Sequence, residues 1–267
     1  MALGSASWTD LRRQLSLLLI EGGAESELQP ALVAMADAEM CMPAEIGDYT
    51  DFYSSINHAR NVGSLLRPDN PLLPNYKHIP IAYHGRSSSI RISGTPSKRP
   101  SGQLKPPESE IPVLGICKRL DYETELGVFI GPGNQLGEAI GLDDAESHIF
   151  GFCILNDWSA RDIQAWEYQP LGPFLAKNFS TTISPWIVTT EALAPYRKEM
   201  YQRPDGDPEP LAYLTSDSHD KFGALDINLE VAISTSEMRK TREEPHLIGS
   251  PVFKEMYWSV FQMLTHH

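Results

Sequence analysis

The chain has 267 residues, 41% hydrophobic and 21% charged, a balance suited to a soluble globular protein with a sizeable core. A formal net charge of −13 disfavours nucleic acid or an anionic membrane as partner, and the apolar runs fall far short of the ~20 residues that cross a bilayer. Three scattered cysteines, Cys41, Cys117 and Cys153, form no C-x-x-C pair, which argues against zinc or a disulfide framework and for a reducing, cytoplasmic compartment.

In chain order, Trp8, Leu11, Leu15 and Leu18 recur at helical spacing beside Ser7 and Asp10. They predict a capped amphipathic helix rather than a secretory signal, because "EGGAESE" is a poor cleavage region. "LQPALVAMADAEMCMP" predicts a second helix ending near Pro43. "GDYTD" reads as a turn running into a short helix, and the Pro-, Gly- and Ser-crowded residues 68–107 as irregular β-structure around short strands such as "SIRISG". "KRLDYETELGVFIG", residues 118–131, predicts a strand whose alternation places Asp121, Glu123 and Glu125 on one face. Tyr122, Leu126 and Val128 mark its buried face. A buried run at 150–155 leads to a helix from about Ser159 to Tyr168, and residues 192–224 read as a polar surface excursion. "LDINLEVAIS" predicts a strand with Leu225, Ile227, Leu229, Val231 and Ile233 inward. Ser250 and Pro251 then start a last helix with a stripe of Phe253, Met256, Tyr257, Val260 and Leu264.

The acid row is the most informative pattern. Residues two apart on a strand lie ~6.6 Å apart, and two carboxylates at that distance repel by about 2.5 kcal/mol at an effective dielectric near 20, against about 0.6 kcal/mol in water. Either the face is solvated, or a cation compensates it. Two isolated acids, Asp51 in "YTDFYSS" and Asp157 directly after the apolar run, stand in settings suited to a site. Several hard oxygen donors without paired Cys or His point to Mg²⁺ or Ca²⁺. Asp157, Arg161, Gln164 and Tyr168 fall at helical offsets, giving either an exposed polar face or a stripe able to hold a polar anion beside a metal. His58 stands out among the histidines because it follows Asp51 and Tyr53 within one short segment, while Arg67 and Lys177 carry little signal alone.

Taken together, "GDYTDFYSS", "LLPNYKHIPIAYHGRSSSI", "LDYETELGVFIGPGN", "HIFGFCILNDWSARDIQAWEYQPLGPFLAKNFSTTISPW" and "MYWSVFQMLTHH" closely resemble the fumarylacetoacetase (fumarylacetoacetate hydrolase) family, in order and over almost the whole chain. The resemblance implies an α+β, β-rich fold. It would comprise a mixed β-sandwich or β-roll catalytic domain at 46–267 and a remnant of the N-terminal domain and linker helices at 1–45. It implies hydrolysis of the carbon–carbon bond of 4-fumarylacetoacetate to fumarate and acetoacetate, the last step of tyrosine and phenylalanine catabolism, by a cytoplasmic homodimer.

The same resemblance implies Ca²⁺ and Mg²⁺ as cofactors. Asp51, Glu123, Glu125 and Asp157 match the family's metal ligands, and Asp157, Lys177 and Thr181 the neighbours of a second, magnesium-type site. His58 matches the proton acceptor, and Lys177 and Gln164 would stabilise the departing fragment. Tyr53, Arg67, Gln164 and Tyr168 match substrate-contacting positions. Asp121 is the least anchored of the three acids in the row. The family pattern is departed from at both ends. The N-terminal SH3-like barrel is largely missing, and neither an "SGTISG"-like substrate contact nor the acid that orients the catalytic histidine occurs. The expectation is therefore a shortened form with little or no turnover. A remnant that only binds metal or dimerises is the alternative, and a decarboxylase or isomerase of another oxo-acid a weaker third.

Overall fold

A computed structural model describes the backbone of residues 1–267 and all side chains except those of Glu25 and Leu66. Helix α1 (Ser5–Leu19) and the single turn α2 (Glu25–Leu28) open the chain, and strand β1 (Tyr49–Phe52) runs into helix α3 (Ile56–Leu66). Short strands follow, β2 (Ala82–Gly85), β3 (Ile90–Ile92), β4 (Ser101–Leu104) and β5 (Val113–Ile116). Next come the two long strands, β6 (Leu120–Ile130) and β7 (Ile149–Ala160), and two short helices, α4 (Arg161–Glu167) and α5 (Leu175–Asn178). Strands β8 (Thr181–Ile183), β9 (Val188–Thr189) and β10 (Arg197–Lys198) lead to helix α6 (Asp217–Phe222). The chain closes with β11 (Ala224–Leu225), β12 (Val231–Ile233), α7 (Ser236–Thr241), β13 (His246–Gly249) and α8 (Val260–His266).

The framework is a five-stranded sheet ordered β3-β8-β7-β6, with β9 also on β7; β3 and β8 are parallel and the other pairs antiparallel. Directly opposed residues of an antiparallel pair project from the same face. Glu123 opposes Asp157, and Asp157 opposes Thr181, so three strands set one polar row across the sheet, with Glu125 two positions along. On the other face Leu126 and Val128 pack against Ile149, Phe152, Leu225 and Phe261. The alternation in β6 thus separates a core face from a site face, as the sequence predicts.

Two further cores place the surroundings. Ile56 and Ala59 of α3 pack with Tyr76, Leu214, Tyr257 and Trp258, which anchors the helix carrying His58. Leu104, Cys117, Ala160, Ile163 and Ala176 join β4, the end of β7, α4 and α5.

Several local expectations are corrected. Residues 28–43 hold no long helix, only the last residue of α2 and 3-10 turns at Gln29–Ala31 and Met35–Asp37. Leu32, Val33 and Met35 there stay exposed, so no burial supports helix formation. Helix α1 exists but starts at Ser5 without a side-chain cap, and Leu11, Leu15 and Leu18 of its stripe are exposed. Only Trp8 is anchored, edge-on to Phe150 at 5.3 Å. The predicted helix at Ser159 begins later because pairing with β6 prolongs β7, matching Ala160 to Leu120. Asp157 therefore sits on a strand, and helical spacing relates only Arg161, Gln164 and Tyr168.

The strand predicted over 225–233 is broken: Leu225 pairs with Arg197, Asn228 bridges to Val252, and Ile233 is exposed in β12. The last helix starts at Val260, not Pro251. Ser259 and Gln262 form a reciprocal capping box there, a stronger start signal than Ser250. Residues 192–224 are not wholly superficial, since Leu214 and His219 are buried.

Candidate functional site

Lys177 of α5 reaches down onto the polar row. Its Nζ donates to Asp157 Oδ2 at 2.6 Å and lies 2.7 Å from Glu123 Oε2. Both Lys177 and Asp157 are almost wholly buried. Arg161 completes the grip on Glu123, with a guanidinium nitrogen 2.8 Å from Oε1, and its Nε donates to Asp121 Oδ2 at 2.8 Å. Asp121 is thus held at the rim by Arg161, whereas both oxygens of Glu123 face cationic side chains.

Asp51 arrives from a separate two-stranded sheet. β1 pairs antiparallel with β2, so Asp51 opposes Tyr83, whose hydroxyl donates to Asp51 Oδ2 at 2.7 Å. In the same register Tyr49 opposes Gly85, and a Cβ at Gly85 would come within 2.0 Å of the Tyr49 ring. The bare glycine leaves room for that ring, whose hydroxyl interacts with Thr181. One oxygen each of Asp51, Glu125 and Asp157 then fall within 4.8 Å of one another.

This cluster is short of positive charge. Four carboxylates, Asp51, Glu123, Glu125 and Asp157, face two permanent cations, Lys177 and Arg161. Ionised together, with Arg161 also shared with Asp121, they leave at least two negative charges in a site of low polarisability, which a divalent ion would offset. Burial pushes Asp157 up to about 8, the charges of Asp51 and Glu123 add to it, and Lys177 opposes. Burial likewise raises Asp51, and raises Glu125 well above the usual carboxylate range with help from Asp51 and Asp157. Glu123 differs: burial would raise it, but the His58 hydrogen bond and the Lys177 and Arg161 charges hold it well below its ordinary value.

The donor set fits a hard cation. Asp157 Oδ1 is buried and, among the described residues, meets no hydrogen-bond donor, although its other oxygen is held by Lys177. An unpartnered carboxylate oxygen beside two further carboxylates is what a Mg²⁺- or Ca²⁺-type ion requires. Asp51, Glu125 and Asp157 are therefore the residues that could hold one, with Glu123 and Lys177 alongside. Thr181 is buried opposite Asp157, at the back of the row.

The remaining candidates line the same cleft. The Ser55 hydroxyl caps α3 by accepting the His58 N–H, which fixes the helix start, and His58 Nε2 lies 3.4 Å from Glu123 Oε1. Tyr53 stands edge-on to His58 at 5.5 Å between centroids, and its hydroxyl donates to the Ala59 carbonyl. Arg67 donates to the Pro71 carbonyl at 3.2 Å, while its buried Nε has no partner among the described residues. Gln164 accepts from Arg161 at 3.0 Å, and Tyr168 lines the cleft at the end of α4. Sequence reasoning missed Tyr83 and Tyr49. No local pattern marks them, because Tyr83 reaches Asp51 only through strand pairing across some thirty residues, and Tyr49 is placed by the same pairing opposite Gly85. Among the described residues no helix is long and apolar enough to cross a membrane.

Comparison with known proteins bears on the family and the fold. Residues 49–267 match the family model described as fumarylacetoacetate (FAA) hydrolase C-terminal. The chain is 50% identical over 273 residues to the fumarylacetoacetase of Bos taurus and 49% identical over 274 residues to that of Caenorhabditis elegans. In both cases all of this chain is covered but only 63% of the relative's length. A solved structure of Cg1458 with inhibitor superposes with a TM-score of 0.51 at 15% identity, covering 86% of this chain and 64% of that one, and supports the fold. The match across residues 49–267 places the chain in the fumarylacetoacetate hydrolase family.

Proposed function

We propose that the chain is the catalytic unit of a metal-dependent hydrolase that cleaves the carbon–carbon bond of 4-fumarylacetoacetate, yielding fumarate and acetoacetate. The supporting observation is the convergence of Asp51, Glu125 and Asp157, one of them with an unpartnered buried oxygen, in the cleft that also holds His58. Curated fumarylacetoacetases about half identical to this chain supply the substrate class.

Cleaving a 1,3-diketone between its carbonyls needs water at one carbonyl carbon and a place for the electron pair as the acetoacetate carbon departs. A bound Mg²⁺ or Ca²⁺ supplies electrophilic polarisation of the diketone oxygens and charge balance for the acids. His58 takes the proton from the attacking water. Glu123, facing its Nε2, stabilises the imidazolium that results. Lys177 and Gln164 stabilise the departing enolate-like fragment. Arg67, which lines the cleft with Tyr53 and Tyr168, grips a substrate carboxylate together with them.

On this reading the catalytic unit spans 46–267 with 1–45 as a linker remnant, and the protein works in the cytoplasm as a homodimer. Exposed Leu17 and Leu19 of α1, Ile20 just after it, and Leu114 and Ile116 of β5 offer apolar surface for a second copy. The test is incubation of the purified chain with fumarylacetoacetate, with Mg²⁺ or Ca²⁺ and after chelation. The expected result is slow, ion-dependent release of fumarate and acetoacetate in equal amounts. Ion binding without any release supports the metal-binding remnant instead.

A further inference from the structure

Helix α5 is a single turn and has no capping side chain at its own N-cap, Phe174, yet it carries Lys177. Its leading N–H groups are satisfied from outside. Glu167, the last residue of α4, accepts through one oxygen, Oε1, from the N–H of Phe174 at 3.1 Å and of Ala176 at 2.6 Å. Between Glu167 and Phe174, residues 168–173 form a loop whose every residue lines the cleft. Gly172, at φ +99°, donates its N–H back to the Tyr168 carbonyl at 2.7 Å. One carboxylate therefore closes this loop at its base.

A helix of four residues has no stability of its own, so its placement depends on what holds its ends. One face is held by Ala176, packed with Ala160 and Ile163. The N-terminal end is held by Glu167. Lys177 must land within hydrogen-bond reach of two acids at once, at 2.6 and 2.7 Å, a demand that a displacement of about 1 Å would defeat.

The geometry points to Glu167 as a positioning residue: by accepting the Phe174 and Ala176 N–H groups it sets α5 so that the Lys177 ammonium sits between Glu123 and Asp157. The inference rests on the role given to Lys177 in the proposed function. Glu167 touches neither the acids nor the cleft-facing end of Lys177 and acts only through the backbone it holds.

The test compares Glu167→Gln, which keeps an acceptor oxygen, with Glu167→Ala, which removes it, in the 267-residue chain. Glu167→Asp, which withdraws the oxygen by one methylene, serves if the alanine variant fails to fold. The first readout is acylation of lysine amines followed by mass spectrometry, with exposed Lys118 and Lys240 as internal references. Lys177 acylates about five- to tenfold faster in the alanine variant, the opening that loss of one cap allows, or to a smaller degree in the aspartate variant. It stays within about twofold of the parent in the glutamine variant, and the references do not change. The second readout is kcat for fumarylacetoacetate, which follows the same order with KM little changed. Protection of Lys177 undiminished in both the alanine and aspartate variants overturns the inference. So does a rise shared with Lys118 and Lys240, which marks general loosening, or a glutamine variant as exposed as the alanine one. Failure of the underlying reading is seen separately, as full turnover by Lys177→Met, and leaves the acylation result untouched.

Discussion

Glu123 and Asp157 face each other across β6 and β7 and are joined by one ammonium, that of Lys177, at 2.7 and 2.6 Å. Two nearly buried acids thus share one ammonium, in a cluster that would hold surplus negative charge with every acid ionised. Replacing Lys177 with Met removes the cation and leaves the acids. Breaking a buried pair in this way costs about 3–5 kcal/mol, so the urea midpoint of the ion-free chain drops accordingly. Mg²⁺ or Ca²⁺ restores part of the loss. An unchanged midpoint without ions contradicts the burial of charge described above.

Stability against pH carries the same signature. Asp157 lies at about 8 when folded, above its ordinary 3.8, so the folded chain retains a proton that the unfolded chain has released. That contribution is complete below about 3.8 and is lost as pH rises to about 8. Asp51 and Glu125 act in the same sense. Glu123 acts oppositely, its contribution present above the ordinary 4.5 and lost as pH falls below it, outside most of this window. Buried His219, lowered from 6.5 by desolvation, also opposes and gains stability as pH rises towards that value. The melting temperature of the ion-free chain is expected to fall between pH 5 and 8, less steeply in Asp157→Asn and less steeply with divalent ion. An equal slope in parent and variant counts against the assignment.

Tyr83 holds Asp51 by one hydrogen bond at 2.7 Å. Tyr83→Phe keeps the ring and deletes the donor, freeing a ligand carboxylate to rotate. Loss of such an outer partner weakens ion affinity by about 10- to 100-fold, measured by calorimetry, with circular dichroism unchanged. Parent-like affinity means that Asp51 is oriented by the sheet alone.

Ser55 caps α3 through the His58 N–H. Ser55→Ala costs about 1 kcal/mol of stability and frays the turn that carries the proposed base. Turnover falls with it, and Ser55→Asp, another good N-cap, recovers both. Loss of stability without loss of turnover separates helix capping from the chemistry.

Legibility from sequence followed range. In β6 the period-2 alternation divides Glu123 and Glu125 from Leu126 and Val128 within a few residues, and the structure keeps that division. Asp157 is visible as an acid ending an apolar run, but whether strand or helix continues past Ser159 is decided by Leu120, some forty residues earlier, pairing with Ala160. Tyr83 is invisible for the same reason, since its meaning comes from lying opposite Asp51. The partnership of Glu123 with Arg161 and Lys177, rather than with the three acids alone, depends on how α4 and α5 fold back over the sheet.

At the chain's close two local signals compete. Ser250-Pro251 and Ser259-x-x-Gln262 are both plausible helix starts, and the capping box at the second is the one used. The stretch at 225–233 shows the limit of alternation: Leu225 and Leu229 are buried as its period predicts, but Asn228 and Ile233 take different partners and the run never forms one strand.

Titration calorimetry of Mg²⁺ and Ca²⁺ into the folded chain tests the central claim most directly. The account predicts saturable uptake of a divalent ion, abolished in Asp157→Asn and accompanied by proton release, since the binding carboxylates must ionise. Absence of binding heat for both ions across several buffers and temperatures, in a chain shown to be folded, would contradict it.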